Sequence, residues 1–467
     1  MQEETSFCQY CRAKLVIESE IEQGYHNSCY KIMMEERHLT LIQVVNRFSI
    51  LTHDTFKIVN ISKELDYWGE LDFDFVANLE ENTLYLKQQP TKSFEYLYLI
   101  NIDTIPFELS YFSDLKVLKI SNDYPIRLND YLPTLSNLTV LDIEYREDIT
   151  GLEFIGQLQN LNYLRLAGPL PKNFIFTDSF RHLKDIKFLE LESFDSPNLI
   201  ETLENYNQLK KLNLTIGIIK EPFGKLESLE EVKFSNVRFT EGFFQLFQSQ
   251  NLRNITFSNC PIESFPDSFS ERSTLETLLI INCPLNNFPH SLSLVEKLRT
   301  VELKATKFTS FPYDLQNIRS IRIDTSLITE INSNIKQCKY LTGLSIINSP
   351  VTYIDSKISS LRQLKVLTIS GTEITSLPDE LDSLNSLEVL DLSNNNFQVI
   401  PKVVCKLKTL KILILDRSTD LLEFPDELSE LVNLERLSLK LIPISEKTKR
   451  NLKELFTGNP NIQIIYY

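Results

Sequence analysis

An α/β repeat solenoid, with one short parallel strand per turn of the coil, is the fold class the sequence predicts. Three observations predict it. A frame headed by LxxLxL returns about sixteen times along 467 residues, with first positions running from Phe94, Leu115, Leu138 and Leu161 to Leu387, Leu410 and Leu434. Most copies are spaced by 23 residues and the rest by 20 to 25, a period too regular for chance. Prolines then recur near one repeat position, at Pro106, Pro266, Pro289, Pro312, Pro378, Pro401 and Pro425.

The period dictates the packing. In LxxLxL the first, fourth and sixth side chains point into the coil, and no rung can bury them alone. Stacking the next rung closes a continuous apolar column. A second apolar set, such as Ile374, Leu377 and Leu381, closes the far side. The recurrent proline fixes φ without removing a strand hydrogen bond, which predicts an irregular or 3₁₀ outer side with only short helices. The clearest copy, Leu387 to Phe397 (LEVLDLSNNNF), resembles the leucine-rich-repeat family, and the resemblance covers about residues 83–467. It implies a horseshoe whose strands line the concave face, and an asparagine ladder at the ninth position. Asn395 fits that ladder, while Cys260, Cys283, Thr306, Ser326, Ser349 and Thr372 are small substitutes. Phe194 and Val237 are not, so the rungs near 186–250 are expected to be irregular. Cys260 and Cys283 read as buried thiols rather than a disulfide.

Both ends need covers, because an open rung exposes core. Phe73 to Leu86 reads as two strands around an Asn/Glu turn. At the far end Ser445 to Phe456 has helical spacing, and Ile462 to Tyr467 reads as a last edge strand. The expected division is a zinc knuckle at 1–35, a helical linker and N-terminal cap at 36–82, repeats at 83–444 and a C-terminal cap at 445–467. This leaves no room for an appended catalytic domain.

The knuckle rests on Cys8-Gln-Tyr-Cys11, followed after fourteen residues by His26-Asn-Ser-Cys29. Two ligand pairs with this spacing can close a tetrahedral Cys₃His site, a common structural Zn²⁺ set that leaves no position open for water. The run Gly24 to Tyr30 resembles the first half of a LIM module. The second half does not follow, so only the four ligands carry over. Arg12 after the CxxC excludes haem attachment. Beyond it, Tyr30 to Leu51 has helix-like apolar spacing.

The remaining strand positions face solvent, and a partner would dock there. Their third-position column carries Val117, Val140, Tyr163 and Phe188, and later Val366, Val389 and Ile412, the last beside Ile414. Apolar groups on a face the fold leaves open mark interaction sites. The fifth-position column starts Lys119, Asp142, Arg165, Glu190, with alternating signs that neighbouring rungs can pair. The expected function is therefore a non-catalytic protein–protein interaction scaffold. The alternative is an adaptor in a ubiquitin-like or regulatory enzyme complex, recruited through the knuckle.

Several classes are disfavoured. A net charge of −15 opposes phosphate backbones and anionic lipid, and residues 1–60 hold six Lys/Arg against eight Asp/Glu. No signal peptide and no long apolar run appears. Seven scattered cysteines suit a reducing compartment, so the cytoplasm is expected. None of His38, His53, His182 or His290 sits in a triad or metal motif, and no phosphate-binding glycine loop is present.

Overall fold

The computed structural model describes residues 96–467 except 103, 106–108, 110–113, 225, 241–245, 247–249, 266–272, 289, 312–314 and 460. It also describes the backbone of Lys57–Asn60, Phe75–Asn78 and Thr83–Leu86. The expected knuckle at 1–35 and the helical stretch behind it lie outside the described residues. The chain forms two compact units, 1–217 and 218–467.

In the first unit Phe75–Asn78 and Thr83–Leu86 make an antiparallel hairpin. Phe75–Asn78 runs parallel to Tyr96–Ile100, and every later pair is parallel, through Val117–Asn122, Val140–Tyr145, Tyr163–Ala167, Phe188–Phe194 and Lys211–Ile219. The second unit stacks parallel strands from Glu231–Phe239 to Gln463–Ile465. Identical repeat positions pair, as in Leu344, Leu367, Leu390 and Leu413. The register follows from burial, since a one-residue slip would turn the whole leucine set to solvent. Those four leucines are all 0% exposed.

The outer side is built as the prolines demand. Pro378 and Pro425 sit in extended backbone just before the 3₁₀ turns Asp379–Ser383 and Asp426–Glu430, and Pro401 precedes the short helix Lys402–Cys405. Where proline is missing, the Asn332 and Asp355 side chains accept from the Asn334 and Lys357 amides and start equivalent turns. Ile374 and Leu381 are buried behind the strands, while Leu377 is half-buried. The helical spacing near the C-terminus corresponds to Glu446–Leu455, capped by Ser445 Oγ, which accepts from the Thr448 amide at 3.1 Å.

The turn after each strand carries two columns. At the eighth repeat position the backbone is left-handed: φ lies at 51–56° for Asn236, Asn259 and Asn282, and at 48° for Asn348. Asparagine tolerates this region and β-branched residues do not, so Ile216 at φ 52° and Thr325 at φ 55° are strained exceptions. At the ninth position several buried polar side chains bridge rungs, although Thr306 Oγ1 is buried without a partner. Asn395 Nδ2 donates to the carbonyls of Ile369 (2.6 Å) and Leu392 (2.9 Å), and its Oδ1 accepts from the Thr372 amide at 2.9 Å. Ser349 repeats the motif in miniature, accepting from the Ser326 amide and donating to Ile347 O.

The irregularity expected near 186–250 is corrected for the strands. Lys211–Ile219 and Glu231–Phe239 have nine residues each, against five for typical neighbours. In both, the ladder runs on past a left-handed residue, Ile216 or Asn236, and the ninth position, Gly217 or Val237, offers the turn no polar side chain. Phe194 and Val237 point into the core at 2% and 0% exposure.

Four thiols, Cys260, Cys283, Cys338 and Cys405, are free and buried. Burial pushes Cys338 up to about 12 and Cys405 up to about 11. Unfolded thiols ionise above about 8.5. Between that value and the folded pKa the unfolded state holds fewer protons, so stability falls with rising pH. It should be fully present below pH ~8.5 and be lost as pH rises through about 11 to 12. Urea midpoints measured from pH 8 upward, with Cys338→Ala as the control expected to flatten the decline, test this.

Candidate functional site

The strand face of the first unit brings the expected residues together. Register places Val140, Tyr163 and Phe188 side by side on three neighbouring strands. The Tyr163 and Phe188 rings stack with centroids 4.4 Å apart and planes 7° from parallel. All three side chains are half-buried. Cross-strand aromatic pairs of this kind stiffen a sheet face and leave a flat apolar surface.

Two residues along each strand, the alternating charges are paired as their signs imply. Lys119 Nζ stands 3.6 Å from Asp142, Arg165 Nη1 is 2.9 Å from Asp142, and Arg165 Nε is 3.0 Å from Glu190. Asn213 ends the row by donating to Glu190 at 3.0 Å. Burial opposes the charge on Arg165, but Asp142 and Glu190 outweigh it and hold the guanidinium above its usual range. Lys119 goes the other way: burial outweighs Asp142 and lowers its pKa. Burial, with Asp142 and Glu190 adding to it, pushes the Tyr163 phenol up to about 12.

Val117 is corrected. It was expected on the open face but is only 4% exposed. The face is filled at that corner, where Tyr98, Lys119 and Asp142 are also buried and the Lys119 ammonium lies 5.3 Å over the Tyr98 ring. Alternation along a strand gives the direction of a side chain, and not what covers it.

The second unit holds the other group separately. Val366, Val389 and Ile412 align across three strands, with Asp391 and Ile414 paired two residues on. Val366 is exposed and the other three aliphatic residues are half-buried. Asp391 is occupied locally, accepting from the Ser393 amide at 2.9 Å, and the neighbouring inter-rung ion pair, Lys411 to Glu388 at 2.9 Å, precedes the strip by one residue. The residues expected to ligate a metal, Cys8, Cys11, His26 and Cys29, lie outside the described residues. Among the described residues no group of three or more His, Cys, Asp or Glu side chains could hold a metal ion, and no helix is long and apolar enough to cross a membrane.

Two features of this face escape the repeat pattern. Glu144 and Glu192 occupy the seventh position on either side of Ala167, and the left-handed column borders them at Ser193 and Ile216. The run of asparagines at 236, 259, 282, 348 and 394 was the available signal for that column.

Stacked in-register strands, outer 3₁₀ turns and polar bridges at the ninth position define the fold as that of leucine-rich-repeat proteins. Within it, residues 352–457 match the family model described as a leucine-rich repeat region. A leucine-rich-repeat protein of Leptospira interrogans is similar in structure at TM-score 0.64 and 24% identity, over 78% of this chain and 93% of that one. A chain of the TLR13–ssRNA13 complex gives TM-score 0.63 at 18% identity, over 90% of this chain and 68% of that one. A chain of the Drosophila Toll–Spätzle complex gives 0.59 at 15%, over 75% and 51%. No curated protein matches the sequence.

Proposed function

We propose that the protein is a non-catalytic interaction scaffold and that a partner protein docks on the strand face, first of all at Val140, Tyr163 and Phe188. The observation that carries this is the stacked, half-buried Tyr163–Phe188 pair. Aromatic side chains held rigid on a backbone ladder give large contact area at little entropic cost, which is where binding energy concentrates. Val366, Val389, Ile412 and Ile414 offer a second, purely aliphatic contact. One similar chain comes from a protein–protein complex and another from a complex with RNA. The carboxylates around the aromatic pair favour the protein reading, since they repel phosphate. We place the scaffold in the cytoplasm, where buried free thiols such as Cys260 and Cys283 stay reduced.

Photo-crosslinking tests it. A benzophenone amino acid at Phe188 should yield one dominant protein adduct in native lysate, whereas the same group at Tyr353, an exposed residue of the outer side (53% exposed), should not. Equal adducts from both positions would overturn the reading.

We further propose that Cys8, Cys11, His26 and Cys29 hold one structural zinc ion. Three thiolates and an imidazole are a borderline-soft donor set that fits zinc. Native mass spectrometry should find one zinc per chain, lost in Cys8→Ser/Cys11→Ser. If that variant also loses the Phe188 adduct while the repeats stay folded, recognition belongs to the knuckle.

A further inference from the structure

We propose that the strand face of the first unit takes a basic segment of a partner protein, seating a Lys or Arg side chain between Glu144 and Glu192 and an apolar side chain against Tyr163 and Phe188. This deepens the reading of that face as a docking surface and rests on it.

The register builds the seat. Glu144 pairs with Ala167 across one strand boundary. Across the next, Leu166 pairs with Leu191, which brings Glu192 alongside Ala167. Two carboxylates thus flank a methyl group on three adjacent strands, with backbones roughly 10 Å apart at a strand spacing of about 4.8 Å. One ammonium or guanidinium group can reach both. The floor is closed, because Ala167 is only 4% exposed and Gly168 is buried against Tyr145.

The charge there is unbalanced. Among the described residues Asp142, Glu144, Glu190 and Glu192 share Lys119 and Arg165 as ion-pair partners, while Arg146, two residues past Glu144, pairs with Asp123 at 3.1 Å. Arg165 spends its close contacts on Asp142 at 2.9 Å and Glu190 at 3.0 Å, which leaves Glu144 at 3.7 Å. Glu192 has no ion-pair partner among the described residues. Lys187, Lys210 and Lys211 stand at the opposite, N-terminal edge of the strands, four or more residues back. At about 3.3 Å per residue that is some 13 Å away, beyond a Debye length at physiological salt. Below the face the Tyr145 hydroxyl, within the electrostatic reach of Glu192, is buried without a hydrogen-bond partner. An incoming cation would restore the balance, and the aromatic pair four residues back gives the same segment an apolar anchor. The surplus sets the sign of the partner.

The test uses the full chain and an eight-residue peptide alternating lysine and phenylalanine, followed by fluorescence anisotropy. Glu144→Gln/Glu192→Gln should weaken binding about tenfold, and added salt should weaken the parent chain's binding. Asp379→Asn/Glu380→Gln, two exposed acids of the second unit, should change nothing. Equal weakening by both pairs would reduce the effect to net charge and overturn the proposal. If Tyr163→Ala/Phe188→Ala abolishes binding and the glutamine pair does not alter it, the seat is refuted and the face survives as a docking surface. If neither pair matters, both fail. Tighter binding of a single-stranded RNA of equal length also overturns it.

Discussion

Replacing Asn395 with alanine is expected to destabilise the second unit by about 3–5 kcal/mol. The side chain is 3% exposed and makes four hydrogen bonds, two given and two received. Alanine would leave the Ile369 carbonyl and the Thr372 amide without their Asn395 partner, and the Leu392 carbonyl with only the 3.5 Å bond from Ser418 Oγ. Each such group costs about 1–3 kcal/mol. Serine should be milder, because Ser349 occupies the equivalent position and still accepts from Ser326 and donates to Ile347. Rung stability in a stacked array depends on nearest neighbours, so the loss should be local. Hydrogen exchange is the measurement: the Thr372 amide should lose protection first. An unchanged Thr372 amide, or a serine variant as weak as alanine, would mean that the ladder is dispensable.

The ninth position was legible in the sequence because its residues are chemically alike: Asn395, Thr372, Ser349 and Ser326 all offer a short polar group. The eighth was not. Its left-handed backbone is imposed by stacking, and it tolerates Ala305, Arg417 and Leu441 as well as asparagine, so the residue types dilute the signal. The strands and their inward leucines were legible through periodicity, and the alternating row from Lys119 to Glu190 through register. Coverage was not: Val117 obeys the same alternation as Val140 but is buried. Nor was the pair Glu144 and Glu192, since Ala167 between them breaks any column of like residues. A periodic pattern encodes which way a side chain points, whereas a site depends on what its neighbours leave unpaired.

Phe194, like Val237, interrupts the polar ladder, and its substitution should be as costly. Phe194→Ala is expected to lose about 3–5 kcal/mol, the cost of a large aromatic cavity in a packed core. The ring occupies the space that a side chain at its register partner, Gly217, would need. A Cβ added at Gly217 would meet Phe194 Cε1 and Cζ at 2.6 Å and the Phe194 carbonyl oxygen at 2.6 Å. Gly217→Ala alone should therefore cost about 1–3 kcal/mol by overpacking. The two changes should not be additive. Once the ring is gone only the carbonyl still opposes the methyl group, so Gly217→Ala should cost clearly less in the Phe194→Ala background. Urea denaturation of the four proteins in the cycle gives the coupling directly. A deficit of more than about 0.5 kcal/mol from additivity makes the glycine the complement of the phenylalanine. Additivity within that margin would mean that the backbone carbonyl alone excludes a side chain at 217. The long strands of this region would then owe nothing to the ring that fills the ladder's place.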